Sequence, residues 1–161
     1  MACQSLASQA ISRGEAINIL LLNGPNLNLL GEREPEVYGS TTLQQLELLV
    51  TARAEELGAK IRAYQSNHEG VLIDRLHEWR RWATGCIFNP GAYTHTSYAL
   101  RDAIAAMPQV RVVEVHLSDL KKREPWRQVS VLAEVVAHRI QGKGVAGYLE
   151  ALEWLADLDT V

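Results

Sequence analysis

Runs of apolar residues alternate with amphipathic stretches along most of the chain. Residues 17–22 are apolar apart from Asn18, and this run ends abruptly at Asn23-Gly24-Pro25-Asn26. Such a run, stopped by glycine and proline, is typical of a buried parallel strand that enters a loop. Further strands are predicted at residues 60–64, 86–88, 110–115 and 137–141.

Amphipathic helices are predicted between these strands. Thr41 and Thr42 offer an N-cap, Gln44 or Gln45 stands at capping-box distance, and apolar residues then recur at helical spacing until Gly58. Three more helices have apolar faces that begin at Leu72, Leu100 and Val145. We expect the second of the four helices to end near Gly85 and the third to be closed by Pro108.

This alternation of strand and helix predicts an α/β fold. Five βα units with right-handed crossovers give a flavodoxin-like three-layer sandwich, with a five-stranded parallel sheet in the order 2-1-3-4-5. A chain of 161 residues is most simply one domain. We expect residues 1–16 to form a flexible extension and residues 17–161 a single catalytic domain.

Composition and charge limit the classes of partner that the protein can bind and the cellular compartment in which we expect it. A formal charge of -3 provides no basic surface for nucleic acid, and no apolar stretch approaches the roughly 18 residues of a membrane helix. The first sixteen residues lack the charged start and apolar core of a secretion signal. Cys3 and Cys86 show no motif spacing, so we expect free thiols in a cytoplasmic protein, with neither a disulfide nor a metal.

Polar residues follow the first predicted strand, at the sheet edge where ligands of such folds collect. The segment carries Asn26, Arg33, Glu34 and Tyr38, and glycine stands at both ends of residues 31–39. We expect residues 31–39 to act as a mobile lid over a charged site. The alternative is an ordinary surface loop.

A second polar cluster, residues 89–97, follows the third strand and precedes a helix. Unpaired N–H groups at a helix start favour an anion or a polarised oxygen. The alternative is that Thr94 or Thr96 caps the helix while His95 satisfies a backbone carbonyl.

A third cluster follows the fourth strand. Alternation along a strand places Glu114 and His116 on the same side, so the carboxylate can orient the imidazole for proton transfer near neutral pH. A buried structural pair is the competing interpretation. Arg123 and Arg127 lie shortly beyond.

The three clusters converge on one crevice in the predicted strand order. The sequence contains no phosphate-binding glycine loop, no Cys/His array with zinc spacing and no serine in a nucleophile elbow. We therefore expect proton-transfer chemistry on a small, anionic, oxygen-rich molecule, without a cofactor.

The same residues carry a resemblance to a known family. The N-terminal signature of type II 3-dehydroquinate dehydratases resembles residues 23–27, 30–31, 33–35 and 37–39. Two further motifs of that family are similar to residues 89–92 with 94–97, and to residues 114–116. The similarity extends from about Ile17 to Leu155.

The resemblance implies dehydration of 3-dehydroquinate to 3-dehydroshikimate, in the shikimate pathway to chorismate and aromatic amino acids or in quinate breakdown. Tyr38 matches the base that removes the proton beside the ketone, and Arg33 the neighbour that favours its phenolate. A free tyrosine titrates near pH ~10, and an adjacent cation lowers this value. Asn26 matches the residue that holds a water against the enolate oxygen. His116 matches the general acid, with Glu114 behind it.

Substrate binding is implied for further positions: Asn89, His95, Asp102, Arg127 and the Leu117–Ser118 backbone. In the family, the aspartate reaches in from a neighbouring subunit of a trimer, and trimers assemble into dodecamers. The resemblance therefore implies a homo-oligomer in which Asp102 serves a neighbour's site.

Several positions depart from the family pattern. Ala92 replaces a second glycine, Asp119 and Lys121 replace an asparagine and a histidine, and Pro125-Trp126 replaces an acidic–Phe pair. The last two changes bear on the placement of Arg123 and Arg127. His138 and Arg139 stand where a glycine and an apolar residue are usual, which bears on the edge of the fifth strand and on assembly.

Two other functions compete with catalysis. One is a flavodoxin-like module that binds a nucleotide or flavin, although residues 24–27 lack the Ser, Thr and Gly of a phosphate loop. The other is a catalytically dead homologue kept for assembly, against which the joint presence of Tyr38, Arg33 and His116 argues.

Overall fold

The computed structural model of the chain describes residues 16–157. The expected extension lies outside the described residues apart from residue 16, as does Cys3. Cys86 is a free, buried thiol, as predicted. No helix among residues 16–157 is long and apolar enough to cross a membrane.

Five parallel strands form one sheet in the order β2-β1-β3-β4-β5, which confirms the predicted topology. Their bounds are as follows: β1 Ile17–Asn23, β2 Ala59–Gln65, β3 Gly85–Asn89, β4 Arg111–His116 and β5 His138–Gln141. The fourth strand begins and ends one residue later than predicted, so His116 is its last residue. The fifth strand is an edge strand, as expected.

Helices cover both faces of the sheet and complete the three layers. They are α1 Pro35–Tyr38, α2 Leu43–Glu56, α3 Glu69–Trp79, α4 Tyr98–Ala105 and α5 Ala146–Asp157. Helix α1 lies within the segment expected to be a loop, where Pro35 at its first position has a backbone suited to a helix start. Helix α3 ends at Trp79, earlier than the predicted Gly85, and the N–H groups of Trp82 and Ala83 in the turn that follows both donate to the Trp79 carbonyl.

The hydrophobic core has two halves because side chains alternate along each buried strand. Leu21 packs with α2 and α5 on one face, and its neighbour Leu20 packs with α3 and α4 on the other. Both side chains are almost completely buried. The sheet is thus rigidly held from both sides, with its strand ends left to form a site.

Caps fix where two of the helices begin. Thr42 and Gln45 form the reciprocal capping box predicted before α2, with backbone-to-side-chain distances of 3.2 and 3.0 Å. Helix α4 is capped by Ser97, whose hydroxyl accepts the Leu100 N–H at 3.0 Å. The alternative that Thr94 or Thr96 caps this helix is wrong.

Candidate active site

A pocket lies at the carboxyl ends of β1, β3 and β4, where the three polar clusters meet. Parallel pairing of β1 with β3 brings Asn23 beside Asn89, and pairing of β3 with β4 sets Phe88 beside Glu114. The polar clusters supply these lining residues: Asn26, Arg33, Tyr38, Asn89, His95, His116, Leu117, Ser118, Arg123 and Arg127.

Two glycines allow the first and second loops to cross in close contact. A Cβ atom on Gly24 would lie 2.7 Å from the backbone oxygen of Pro90, so only glycine fits there without a shift. The Gly24 N–H donates to the Asn89 carbonyl at 2.7 Å. Gly91, at φ +57°, packs on the Pro25 backbone in turn. This crossing holds the start of the loop after β1 against Asn89.

Asn26 occupies the first turn after this crossing with a left-handed backbone, at φ 68°. Asparagine tolerates that conformation better than most residues. The Asn26 N–H donates to the side-chain oxygen of Asn67 at 2.9 Å, which holds the residue at the pocket wall.

Tyr38, the last residue of α1, contacts two arginines. The closer one is Arg123, which donates from Nη1 to the Tyr38 hydroxyl at 2.7 Å. This hydrogen bond raises the pKa of the Arg123 guanidinium. Arg33 instead lies over the ring face, 5.1 Å from its centroid, and pairs with Glu34 at 3.3 Å. The family resemblance implied Arg33 as the neighbour of Tyr38 and gave no role to Arg123.

His116 and Glu114 form a buried pair at the end of β4. The His116 Nε2 atom lies 2.6 Å from Glu114 Oε1, and the carboxylate is completely buried. Thr94 donates to the same carboxylate, and Ser130 donates to it at 3.1 Å. Because Nε2 is engaged, Nδ1 is the ring atom that can give a proton to a molecule in the pocket.

Several groups compete to set the ionisation of Glu114. Burial raises the pKa of this carboxyl group, but the hydrogen bonds from His116 and Thr94 and the charge of Arg139 outweigh burial and hold the pKa below its ordinary value. Glu114 is therefore an ionised partner for the imidazole at neutral pH.

His95 lies at the pocket wall with its Nδ1 atom 2.6 Å from the Val129 carbonyl. Since a carbonyl only accepts, Nδ1 carries the proton, and Nε2 is the acceptor of the neutral ring. Burial lowers the pKa of His95 against the effect of that hydrogen bond, and positive charge on His116 and Arg127 lowers it further. The backbone contact expected of a structural histidine thus coexists with a place in the pocket.

Tyr148 of α5 supports Asn89 from beneath the pocket. The Asn89 amide donates to the Tyr148 hydroxyl at 2.8 Å, and the hydroxyl donates to the Asn23 side-chain oxygen at 2.8 Å. The Asn89 side-chain oxygen in turn accepts the Gly91 N–H at 3.1 Å. Tyr148 lies on the apolar helix face that was predicted to begin at Val145, and nothing in that pattern indicated its role in the site.

The departures after β4 leave both arginines in the pocket. Asp119 accepts the Lys121 N–H at 3.0 Å and begins a turn over Leu120–Lys122. A second turn, Pro125–Gln128, carries Arg127, whose Nε donates to Glu124 at 2.7 Å. The ring of Trp126 lies edge-on to His95, with the centroids 5.1 Å apart.

Asp102 is the one named site residue that stands apart from the pocket and its buried support. It lies on α4 with 80 % of its side chain exposed, 3.7 Å from Arg101 of the same helix. The pocket of a single chain is therefore built without it. Within residues 16–157, no group of three His, Cys, Asp or Glu side chains is arranged to hold a metal ion.

The fold and the pocket define a flavodoxin-like α/β protein with a site suited to acid–base chemistry. A phenol beside a guanidinium and an imidazole backed by a carboxylate line or support the same pocket. Residues 17–156 match the family model described as dehydroquinase class II, and the chain belongs to that family.

Individual relatives agree with this membership. The chain is 55% identical over 142 residues to a 3-dehydroquinate dehydratase of Anoxybacillus flavithermus, covering 88% of this chain and 95% of the relative. It is 50% identical over 139 residues to catabolic 3-dehydroquinase 1 of Aspergillus terreus, covering 86% and 91%. A crystal structure of type II dehydroquinase from Butyrivibrio crossotus superposes with a TM-score of 0.85 at 40% identity, covering 87% and 97%.

Proposed function

We propose that this chain is a type II 3-dehydroquinate dehydratase, a lyase that removes water from 3-dehydroquinate to give 3-dehydroshikimate. The observation that carries the proposal is the meeting of two proton-transfer pairs, Tyr38 with Arg123 and His116 with Glu114, in a class II dehydroquinase fold. Elimination of water next to a ketone needs one base and one acid, and these pairs supply both.

Tyr38 is the base that takes the proton from the carbon beside the ketone. Its hydroxyl accepts a hydrogen bond from the Arg123 cation, and Arg33 adds positive charge over the ring face. A hydrogen bond from a charged donor stabilises negative charge on its acceptor, so Arg123 is placed to stabilise charge that develops on the phenolic oxygen.

Asn26 holds a water against the enolate oxygen that forms when the proton leaves. Its backbone N–H is bound by Asn67, which places the residue at the pocket wall before the substrate arrives. Preorganised dipoles directed at developing charge are among the largest catalytic terms.

His116 protonates the departing hydroxyl group, which then leaves as water. Glu114 orients the ring through its contact with Nε2. The substrate is bound by Asn89, His95, Arg127 and the backbone of Leu117 and Ser118, and a carboxylate-bearing molecule suits the arginine among them.

A homo-oligomer, a dodecamer built from trimers, is part of the proposal. Asp102 supports it, because an exposed carboxylate on α4, outside its own chain's pocket, suits a residue that enters a neighbour's site. Residues 17–161 act as a single catalytic domain in the cytoplasm. The names of the relatives fit either the shikimate pathway or quinate catabolism.

The chemistry proceeds without a cofactor and without an imine. The four lysines, Lys60, Lys121, Lys122 and Lys143, all lie outside the pocket lining. An imine route needs a lysine desolvated beside the reacting carbonyl. Borohydride added with substrate should therefore leave activity intact, and substrate-dependent inactivation would contradict the mechanism.

The direct test adds 3-dehydroquinate to the purified protein and follows the ultraviolet absorbance of the conjugated product. We expect a steady rise with the unaltered chain and almost none with Tyr38→Phe, which keeps the ring and removes the phenolic oxygen. An unaltered protein that binds 3-dehydroquinate but gives no rise would favour the catalytically dead homologue. A flavin-coloured protein that does not bind it would favour the nucleotide-binding module.

A further inference from the structure

Arg139 lies on the edge strand β5, directly beside Glu114 in the pairing of β4 with β5. Its Nε atom donates to Glu114 Oε2 at 3.0 Å, so the guanidinium reaches the carboxylate that supports His116. From the sequence, Arg139 was expected to bear only on the strand edge and on assembly. The contact instead links it to the acid–base pair.

The partners of Glu114 differ in whether they carry charge throughout a reaction cycle. Thr94 and Ser130 donate neutral hydrogen bonds, and His116 is a cation only while it holds its extra proton. Arginine stays protonated throughout. Among the described contacts of Glu114, Arg139 is thus the one permanent cation.

This difference matters when His116 has given up its proton. A completely buried carboxylate without a counter-charge is costly and tends to take up a proton itself. We propose that Arg139 is a positioning residue that keeps Glu114 ionised through the cycle, so that the proton taken up by the pair returns to His116. This inference rests on the proposed role of His116 as the acid.

The other charged groups near the Glu114–His116 pair lie on its pocket side, away from Arg139. His95, Arg33, Arg123 and Arg127 line the pocket into which His116 opens, whereas Arg139 approaches Glu114 from β5. The pocket groups therefore act mainly on His116 and on a bound anion. Arg139 has 34% of its side chain exposed, which weakens its effect on Glu114 through solvent screening.

Removal of the Arg139 charge should raise the proton affinity of the Glu114–His116 pair. The alkaline limb of the pH profile of kcat, where the general acid loses its proton, should then move to higher pH by roughly one unit, the lower end of what an opposite charge at 4–6 Å produces. KM should stay within about twofold, because Arg139 does not line the pocket.

The experiment compares Arg139→Gln, Arg139→Val and Arg139→Lys with the unaltered enzyme. Valine favours a β-strand, so Arg139→Val keeps the test possible if Arg139→Gln fails to fold. Arg53→Gln is the matched control, since Arg53 pairs with Glu56 and Glu153 away from the pocket. We expect the shifted limb with glutamine and valine, and the original limb with lysine and with Arg53→Gln.

Infrared titration reads Glu114 independently of turnover. At a pH where the unaltered protein has Glu114 ionised, Arg139→Gln should show a protonated-carboxyl absorption that the additional change Glu114→Gln removes. An unshifted alkaline limb, an equal shift with lysine, or no new absorption in the glutamine and valine variants would overturn the inference. A protein that shows the absorption but does not convert 3-dehydroquinate would instead overturn the proposed function.

Discussion

The hydrogen bond between Arg123 and Tyr38 gives a sharp test of how the base is activated. Arg123→Gln keeps a side chain that can donate a hydrogen bond but removes the charge 2.7 Å from the phenolic oxygen. We expect the variant to fold and to bind substrate, but to form the phenolate less readily at neutral pH.

The size of the loss follows from the geometry of the contact. Only 15% of the Arg123 side chain is exposed, so solvent screens this contact less than the pair of Arg33 with Glu34, where 35% and 44% are exposed. Hydrogen bonds to charged groups contribute about 1.5–3 kcal/mol. A loss of that size lowers the rate at neutral pH roughly 10- to 150-fold.

The assay measures initial rates of product absorbance between neutral and alkaline pH. The deficit of Arg123→Gln should shrink as the pH rises, because hydroxide then removes the phenolic proton without help from the arginine. Arg123→Lys should lose less than the glutamine variant, since it keeps a charge but not the planar guanidinium. Arg53→Gln serves as the surface control and should match the unaltered enzyme at every pH.

Two results would refute this reasoning. One is a rate of Arg123→Gln equal to that of the unaltered enzyme at neutral pH, which would mean that Tyr38 does not depend on this cation. The other is a deficit of the same size at every pH, which would mean that Arg123 acts by holding the substrate or the fold.

Three further outcomes are expected. His116→Ala should let the proton beside the ketone exchange with deuterated solvent faster than product forms, whereas Tyr38→Phe, slowed by at least ~10²-fold, should not; NMR of recovered 3-dehydroquinate distinguishes them. Trypsin cleavage after Arg33, in the expected lid 31–39, should slow when a substrate analogue is bound, and an equal rate would contradict the lid. The pKa of Glu114 is lower in the folded chain than in the unfolded one. The ionised carboxylate therefore stabilises the fold above about pH 4.3, and this stabilisation is lost as the pH falls through the pKa of the folded state. The free energy of unfolding, from urea titration, should therefore fall more for the unaltered protein than for Glu114→Gln between about pH 5 and pH 2, and parallel curves would contradict this.

The sheet order was predictable from sequence because buried strands leave local signals. The mostly apolar run 17–22 and the capping box of Thr42 with Gln45 each depend on a few neighbouring residues in the chain. Several hydroxyl side chains precede α4, and Thr94 or Thr96 was named from the sequence as a cap rather than Ser97, which caps the helix. Thr94 turns instead to the buried carboxylate of Glu114, twenty residues away in the chain.

The polar pairs of the site were only partly predictable. Glu114 and His116 are two residues apart on one strand, so alternation sufficed to place them together. Arg123 and Tyr38 are 85 residues apart, and nothing local to either marks the other as its partner. A tertiary hydrogen bond of this kind depends on how two turns pack, which no periodicity encodes.

The hydroxyl of Tyr148 is hydrogen-bonded to both Asn23 and Asn89, so it connects the last helix, α5, to the pocket. Coupling between two sites is reciprocal, so if a ligand held Asn89 more firmly through this link, α5 would also be held more firmly against the sheet. Conversely, a molecule that loosened the packing of α5 on the sheet would weaken binding of the ligand without entering the pocket. Amide hydrogen exchange along α5 would then report occupancy from the opposite side of the protein.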